Sequence, residues 1–590
     1  MFGKIISITK NSAFVNIVDE SIFNQDLLNT HVVLEDGTKK ILGEIEEITK
    51  ESIKINFLGE FVDNTFLGGT LRKPSLDSTI RIINEEELRL ITGNSDRSIS
   101  LGVSPIYNNY PMRVSIDDMF SNHAVIFGNS GSGKTYGISR IIQNIFPNSS
   151  TIPYNANLFI FDSFGEYINA FKNLNKVNEY YNFKVITTDE KNAKDNNFDL
   201  LDIPVCLLTK EDLLNLLDAT EFCQIAMIEE TLRIVKVIAS NDANSIAYKN
   251  HFIAKAIMTL LYSGQTSEKI RDQAFEMLSI INTDDMNLNT IVNGIGYTRK
   301  LMNCFDIDSE GKFAELKLLI DYLDDFILED VTVNRINEDI PYSMKNLYDA
   351  FNFTLYSEKY LLNEKMYDAA MSLRVRLNQL VSGPYSKFFT SKEFITDEKY
   401  LSYLLRVSDR KAQIVNINLE DVDDGFARTI TKFYARLFMR YTRALPNRAS
   451  FPINIVLEEA HRYVVSNDDI NLFGYNIFER IAKEGRKYGL ILDLITQRPT
   501  ELNEQVISQC ANFLIFKITH PVDLDYITKI VPNMSSEIVE KQKTLQSGTC
   551  VAFGKIFKIP MIVKMEKPSP EPESANCEVF NNWMINVDKK

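Results

Sequence analysis

The residues best suited to chemistry are Gly128-Asn129-Ser130-Gly131-Ser132-Gly133-Lys134-Thr135. Their spacing fits G-x-x-x-x-G-K-[ST], the pattern of a phosphate-cradling loop. Glycines let successive backbone N–H groups curl around phosphate oxygens. A helix opening around Tyr136 would add the positive end of its dipole. In such a loop Lys134 reaches the β/γ-phosphates and the Thr135 hydroxyl binds Mg²⁺. ATP and Mg²⁺ are therefore the expected cofactors, and residues 128–136, Tyr136 included, the expected nucleotide-binding segment. The bland alternative is a glycine turn ahead of a helix. The apolar run before the loop and the amphipathic run after it weigh against that alternative.

Hydrolysis needs a second strand that ends in acid, and Ile453-Asn-Ile-Val-Leu457-Glu458-Glu459-Ala460-His461 supplies one. Glu458, at the strand tip, is the candidate for holding Mg²⁺ through its water shell. Glu459 is the candidate base that orients and deprotonates the attacking water. Aspartate is the usual first acid; Glu458 is one methylene longer, so its metal shell is expected to differ. His461 reads as a structural or coupling residue rather than a ligand. In Leu494-Ile-Thr496-Gln497-Arg498-Pro499, Gln497 is a candidate γ-phosphate sensor, or a turn cap. In Glu484-Gly485-Arg486-Lys487-Tyr488-Gly489, the Gly-flanked Arg486 has the form of an arginine finger acting across a subunit interface, or of a solvated loop arginine. Arg480 is the weaker finger candidate. Asp162-Ser-Phe-Gly165-Glu166-Tyr167 either approaches the nucleotide or caps the next helix, and Glu166 is the alternative base.

The elements that must position these residues are legible as periodicities. Lys4–Thr9, Ala13–Val18 and Ser52–Phe57 alternate apolar and polar residues, the period of half-buried strands, with turn signals at Glu35-Asp36-Gly37 and Gly68-Gly69. They predict a small antiparallel barrel. Ala124–Phe127 and Asn157–Asp162 read as buried strands. Ile138, Ile141, Ile142 and Ile145 share one helix face. From Glu211 to about Arg410 the apolar spacing is three and four, which predicts a helical block. Strand-like runs return at 413–418, 453–457, 490–495 and 512–516. The expected fold is an α/β P-loop ATPase core with an N-terminal antiparallel β-barrel and a large helical insertion. The expected division is 1–95 (barrel), 96–205 (first part of the core), 206–410 (insertion), 411–565 (second part of the core) and 566–590 (linker and tail). The Pro-rich segment from Lys567 reads as an extended linker. Val579-Phe-Asn-Asn-Trp583 reads as a frayed end or a docking segment.

The chain has 590 residues, enough for roughly four domain-sized units. With 45% hydrophobic and 24% charged residues it reads as globular, which excludes disordered and fibrous classes. No apolar run reaches the ~18 residues of a membrane span, and the first residues carry no signal-peptide pattern. A cytoplasmic protein without membrane contact is expected. Cys206, Cys223, Cys304, Cys510, Cys550 and Cys577 form no C-x-x-C pair, so reduced thiols are expected rather than disulfides or zinc. The net charge of −15 excludes a basic nucleic-acid coat but leaves room for a basic pore inside an acidic ring.

Taken in order, these segments resemble the HerA family of HerA/FtsK-class hexameric DNA translocases. The likeness rests on Asn122-His123 running into the P-loop, Asp162-Ser-Phe-Gly165-Glu166-Tyr167, Leu457–His461, Gly485–Gly489 and Thr496–Pro499. It extends to Ser547-Gly548 through Gly554 to Pro560, and to Phe57-Leu-Gly59-Glu60 with Gly68-Gly69 in the N-terminal segment. The resemblance implies a RecA-like core and a homo-hexamer with ATP between neighbours and Arg486 reaching the next subunit's γ-phosphate. It implies double-stranded DNA in a central pore. It also implies a partner nuclease or sirtuin-like effector docked on the N-terminal barrel, in DNA end processing or anti-phage defence. The alternative is a nucleotide-gated hexameric scaffold that regulates such an effector with little DNA movement. A secretion or conjugation ATPase is weakened by the missing membrane segment and by the barrel. A metabolic P-loop kinase is disfavoured because it needs neither the paired glutamates nor a finger.

Overall fold

The computed structural model describes residues 2–18, 27–92, 97–147, 149, 151–328, 339–357, 364–391, 393–465, 473–531, 536–573 and 579–584. Cys577 lies outside them. Two compact units emerge: Met1–Asp199 with Tyr403–Ser466 and Asn476–Lys590, and Leu200–Ser402 with Asn467–Tyr475.

The first unit opens with an antiparallel sheet of β1 (Phe2–Ile8), β2 (Ser12–Ile17), β3 (His31–Asp36), β4 (Lys39–Ile48), β5 (Ser52–Val62), β6 (Thr65–Gly68) and β7 (Thr79–Ile82). The strand order is β1-β2-β5-β4-β3-β7, with β6 on β5. Gly37, at φ +58°, starts the two-residue turn that pairs Asp36 with Lys39. Alternation sorts the side chains into two cores. Val32, Leu34, Ile41, Ile53 and Ile55 pack on one face. Val33, Leu42, Phe61 and Phe66 join the core of the following α/β layer. The expected barrel is corrected to an open half-barrel, because β1 and β7, at the ends of the order, do not pair. With four residues, β7 offers too short an edge to close the ladder.

The α/β layer is one mixed sheet. Its strands are β8 (Ser98–Ser104), β9 (Tyr110–Ser115), β10 (Ala124–Phe127), β11 (Leu158–Asp162), β12 (Phe183–Thr187), β13 (Ile414–Asn418), β14 (Ile453–Leu457), β15 (Leu490–Thr496), β16 (Asn512–Phe516), β17 (Thr549–Gly554) and β18 (Met561–Met565). The order β12-β13-β11-β14-β15-β10-β16 is parallel throughout, and β17-β18-β8-β9 extends it antiparallel. A parallel strand is covered on both faces, which is why β10, β11, β14, β15 and β16 are buried at every residue.

Helix α1 (Lys134–Gln143) buries Ile138, Ile141 and Ile142 against the sheet, as the spacing predicts. The second unit is helical, as expected of the middle of the chain, and contains α2 (Phe222–Ala239), α3 (Ala243–Leu261), α4 (Ser267–Ile280), α5 (Met344–Ser357) and α6 (Glu364–Ser382). Asp242 caps α3 by accepting from the Ser245 amide, at 3.0 Å. Back in the first unit, α7 (Asp424–Ala444) packs Phe438 at a tilt of 41° against Phe159, with centroids 4.4 Å apart, and sets Tyr434 edge-on to Phe161. Helix α8 (Ile477–Glu484) leads into β15 through the Gly485–Tyr488 turn.

Candidate functional site: a braced phosphate loop beside two buried glutamates

Strand β10 ends at Phe127, and the loop from Gly128 delivers the chain into α1 with Lys134 as its first residue. Gly131 and Gly133 take φ of +71° and +98°, which disfavour any side chain. At Gly133 a Cβ would also fall 2.9 Å from the Gly548 backbone. That close approach is used: Gly548 N donates to Ser132 O at 2.9 Å, and Ser547 Oγ to Gly131 O at 2.8 Å. On the other side, Asn129 N donates to Lys517 O at 2.9 Å, and Asn129 Nδ2 to Thr519 Oγ1 at 2.6 Å. The first amides of α1 point out of the helix start, where an anion is favoured.

Lys134 is buried. Its ammonium donates to Gly128 O at 2.8 Å and Asn129 O at 3.0 Å. Burial lowers its pKa, while the charges of Glu459, Glu458 and Glu166 act the other way. Those three carboxylates come from two strand ends. Glu458 follows β14, continuing the ladder through its amide to Phe161 O at 3.1 Å. Burial pushes its carboxyl up to about 8, and the charges of Asp162, Glu459 and Glu166 add to the effect, against the Tyr167 hydroxyl. Its Oε2 and Ser132 Oγ are both buried without a hydrogen-bond partner. Glu459 adopts a left-handed backbone, φ +48° and ψ 52°, at a cost of about 1–2 kcal/mol for a residue with a Cβ. Strain of this kind concentrates where geometry serves function.

Asp162 is a builder of the site. Fully buried at the end of β11, it accepts from the amides of Phe164 (3.3 Å), Glu166 (3.2 Å) and Tyr167 (3.0 Å), and from Asn416 Nδ2 (2.9 Å). The carboxylate ties together the turn 163–167 and does not cap the helix that follows, whose start carries no side-chain cap. The loop it shapes carries Glu166 to Thr135. Burial raises the Glu166 pKa, and a hydrogen bond with the Thr135 hydroxyl lowers it.

Gln497 comes close through strand order. Strand β15 lies between β14 and β10, and the register sets Thr496 beside Phe127. Gln497 therefore follows a strand that ends next to the loop, and it is half-buried. Arg486 is not brought there. It precedes β15, is exposed, and its charge acts on His123 at the start of β10. The seven-residue strand separates it from Gln497 by about 20 Å. Within one chain, Arg486 and the phosphate loop lie at opposite ends of the two neighbouring parallel strands β15 and β10.

The segment after β18 was expected to be a linker; up to Glu573 it is a docked strap. Glu566 pairs with Arg140 of α1 at 2.9 Å. Gln143 accepts from Ser569 N at 2.8 Å and donates to Pro570 O at 2.9 Å. Asn169 Nδ2 donates to Glu571 O at 2.7 Å, Tyr136 Oη to Glu571 Oε2 at 3.2 Å, and Glu573 N to Glu166 O at 2.9 Å. The strap was missed as part of this neighbourhood. The alternation of Glu with Pro in the tail was the available signal, since an extended chain leaves its carbonyls free to be bonded. Val579, Phe580 and Trp583 are exposed.

A family model described as "Helicase HerA, central domain" matches residues 99–438. The "DNA double-strand break repair helicase HerA" of Saccharolobus solfataricus is 29% identical over 178 residues, 30% of this chain and 35% of that protein. The match thus spans about a third of that relative's length. The "Probable helicase MJECL08" of Methanocaldococcus jannaschii is 23% identical over 543 residues, 89% of this chain and 83% of that protein. Among solved structures, VirB4 of Thermoanaerobacter pseudethanolicus aligns with 80% of this chain and 97% of its own at 14% identity. Its TM-score of 0.41 is too low to carry an argument. No helix among the described residues is long and apolar enough to cross a membrane.

Proposed function

This chain belongs to the family of the HerA helicase central domain, and from that premise we propose that it is an ATP-hydrolysing motor with a RecA-like core that moves double-stranded DNA. The observation that carries the reading is the buried Lys134 ammonium at the start of α1, under the charges of Glu458, Glu459 and Glu166. One buried cation among three carboxylates is an arrangement that a metal–triphosphate complex completes.

Mg²⁺ fits the residues present. Glu458 Oε2 and Ser132 Oγ are buried polar atoms without partners. Among the described residues no group of three or more His, Cys, Asp or Glu side chains has the arrangement to hold a metal ion unaided. That suits an ion which takes one or two protein groups and completes its shell with water and phosphate oxygens. Thr135 and Glu458 would hold it. When bound, it supplies charge neutralisation on the β- and γ-phosphates.

The chain's own residues do the rest. Amides of the 128–136 segment other than those of Asn129 and Ser132, which Lys517 O and Asn129 O take, bind the phosphates and orient the γ-phosphorus. Glu459 accepts the proton of the attacking water, and Lys134 balances charge on the transferred group. Gln497 orients the water or the γ-phosphate. Arg486 acts in trans: it is too far from its own loop, so only a neighbouring copy can present one to it. That division suits a head-to-tail ring, for which the proposal takes the homo-hexamer that the family resemblance implies. DNA in its pore and a nuclease or sirtuin-like effector on the N-terminal half-barrel complete the proposal. Repair and anti-phage defence both suit it.

The test is steady-state ATP hydrolysis with and without linear double-stranded DNA, with Glu459→Gln as the blank. DNA should raise the rate several-fold. Turnover indifferent to DNA, or appearing only with the effector, would replace the motor by a nucleotide-gated scaffold.

Arg486→Ala should lose hydrolysis by about 10²-fold or more and keep nucleotide affinity within a few-fold. Mixed with Glu459→Gln protein, it should recover part of the rate, since a mixed interface can join an intact base to an intact finger. Arg486→Ala protein with undiminished turnover would remove the finger.

A further inference from the structure

Glu459 does not stand alone at the end of β14. Its Oε2 lies 3.2 Å from His461 Nδ1, and the same nitrogen lies 3.0 Å from Thr496 Oγ1. The side chains of Glu459 and His461 are only 9% and 12% exposed, so solvent screens the contact little. Thr496 Oγ1 also accepts from Arg498 N at 3.0 Å. Nδ1 shares its hydrogen bond with Thr496 Oγ1; Glu459 Oε2 is buried and makes no hydrogen bond of its own, so its 3.2 Å approach to the same nitrogen is an electrostatic contact. The two ends of the chain of contacts differ in rigidity. Thr496 closes a strand buried at every residue and paired on both sides. Glu459 stands on a strained, left-handed residue beyond the last pair of its own strand. The fixed end therefore holds the free one.

We infer that His461 and Thr496 form a positioning pair that sets the direction of the Glu459 carboxylate. The inference rests on the proposed ATPase function. Neither residue touches the reacting atoms. His461 orients Glu459, and Thr496 orients His461.

Thr496→Val keeps the shape of the side chain and removes the hydroxyl. It should lower kcat about tenfold or more while leaving KM and ATP-analogue affinity within about twofold, since a small misplacement of a catalytic group costs rate and not binding. Thr496→Ser should restore kcat to within about threefold of wild type. His461→Ala should show the same split, and His461→Ala combined with Thr496→Val should be no slower than His461→Ala alone, because both act through one contact. In the Glu459→Gln background, Thr496→Val should change nothing further. Wild-type kcat in Thr496→Val, a serine no better than the valine, or losses that simply add would overturn the pair. A wild-type chain with no ATP turnover, with or without DNA and effector, would overturn the ATPase reading and this inference with it. An active wild type with an indifferent Thr496→Val overturns the positioning pair alone.

Discussion

Lys134→Ala should reduce ATP hydrolysis by at least about 10²–10³-fold, the effect of removing one preorganised charge-stabilising donor from a transition state. The ammonium is buried, so its field at the phosphate is weakly screened. Alanine also strands the carbonyls of Gly128 and Asn129, which the ammonium bonds at 2.8 and 3.0 Å. Phosphate release measures the first effect and a thermal melt the second. Turnover near wild type would sink the phosphate-loop assignment. A lost melting transition would show that alanine acts through the fold. Lys134→Met, which retains the buried stem, then repeats the test without emptying the space.

Glu459→Gln should bind nucleotide as the wild type does and hydrolyse it about 10²–10⁴-fold more slowly, the usual worth of a positioned base. Glutamine has the same shape, so the side chain keeps its place on the left-handed residue at 459. What changes is the ability to take a proton. Equilibrium binding of a labelled ATP analogue and single-turnover hydrolysis separate the two effects. Retained turnover would move the base to Glu166, which faces Thr135 from the other strand end. Glu458 is a poor substitute, because it is buried at the strand end and burial raises the pKa of its carboxyl.

Much of this was open to reading along the chain. A phosphate loop is a local object: its glycines, lysine and threonine are consecutive, and strand, loop and helix are fixed by periodicities within about 25 residues on either side. The acid-tipped strand 453–457 was equally plain, since a buried strand that ends abruptly in two carboxylates has few structural uses. The helical middle and the strands flanking it followed from the change of apolar spacing from two to three and four.

Strand order was not legible, and it decided the rest. Which parallel strands lie side by side depends on how the crossovers pack, not on spacing in sequence. Only the tertiary structure put β15 between β14 and β10, and with it Thr496 and Gln497 at the loop and Arg486 at the far end of the strand. Edge length, not alternation, left the N-terminal sheet open at β7. Side-chain anchors from α1 and from Asn169 turned a Pro-rich tail into a strap. The sequence alone marked the candidates for phosphate and proton chemistry, because the glycine loop and the acid-tipped strand are each a run of neighbours in the chain. Their distances, burial and mutual charge, and the hold of Thr496 on Glu459 through His461, were decided by contacts between residues tens to hundreds of positions apart.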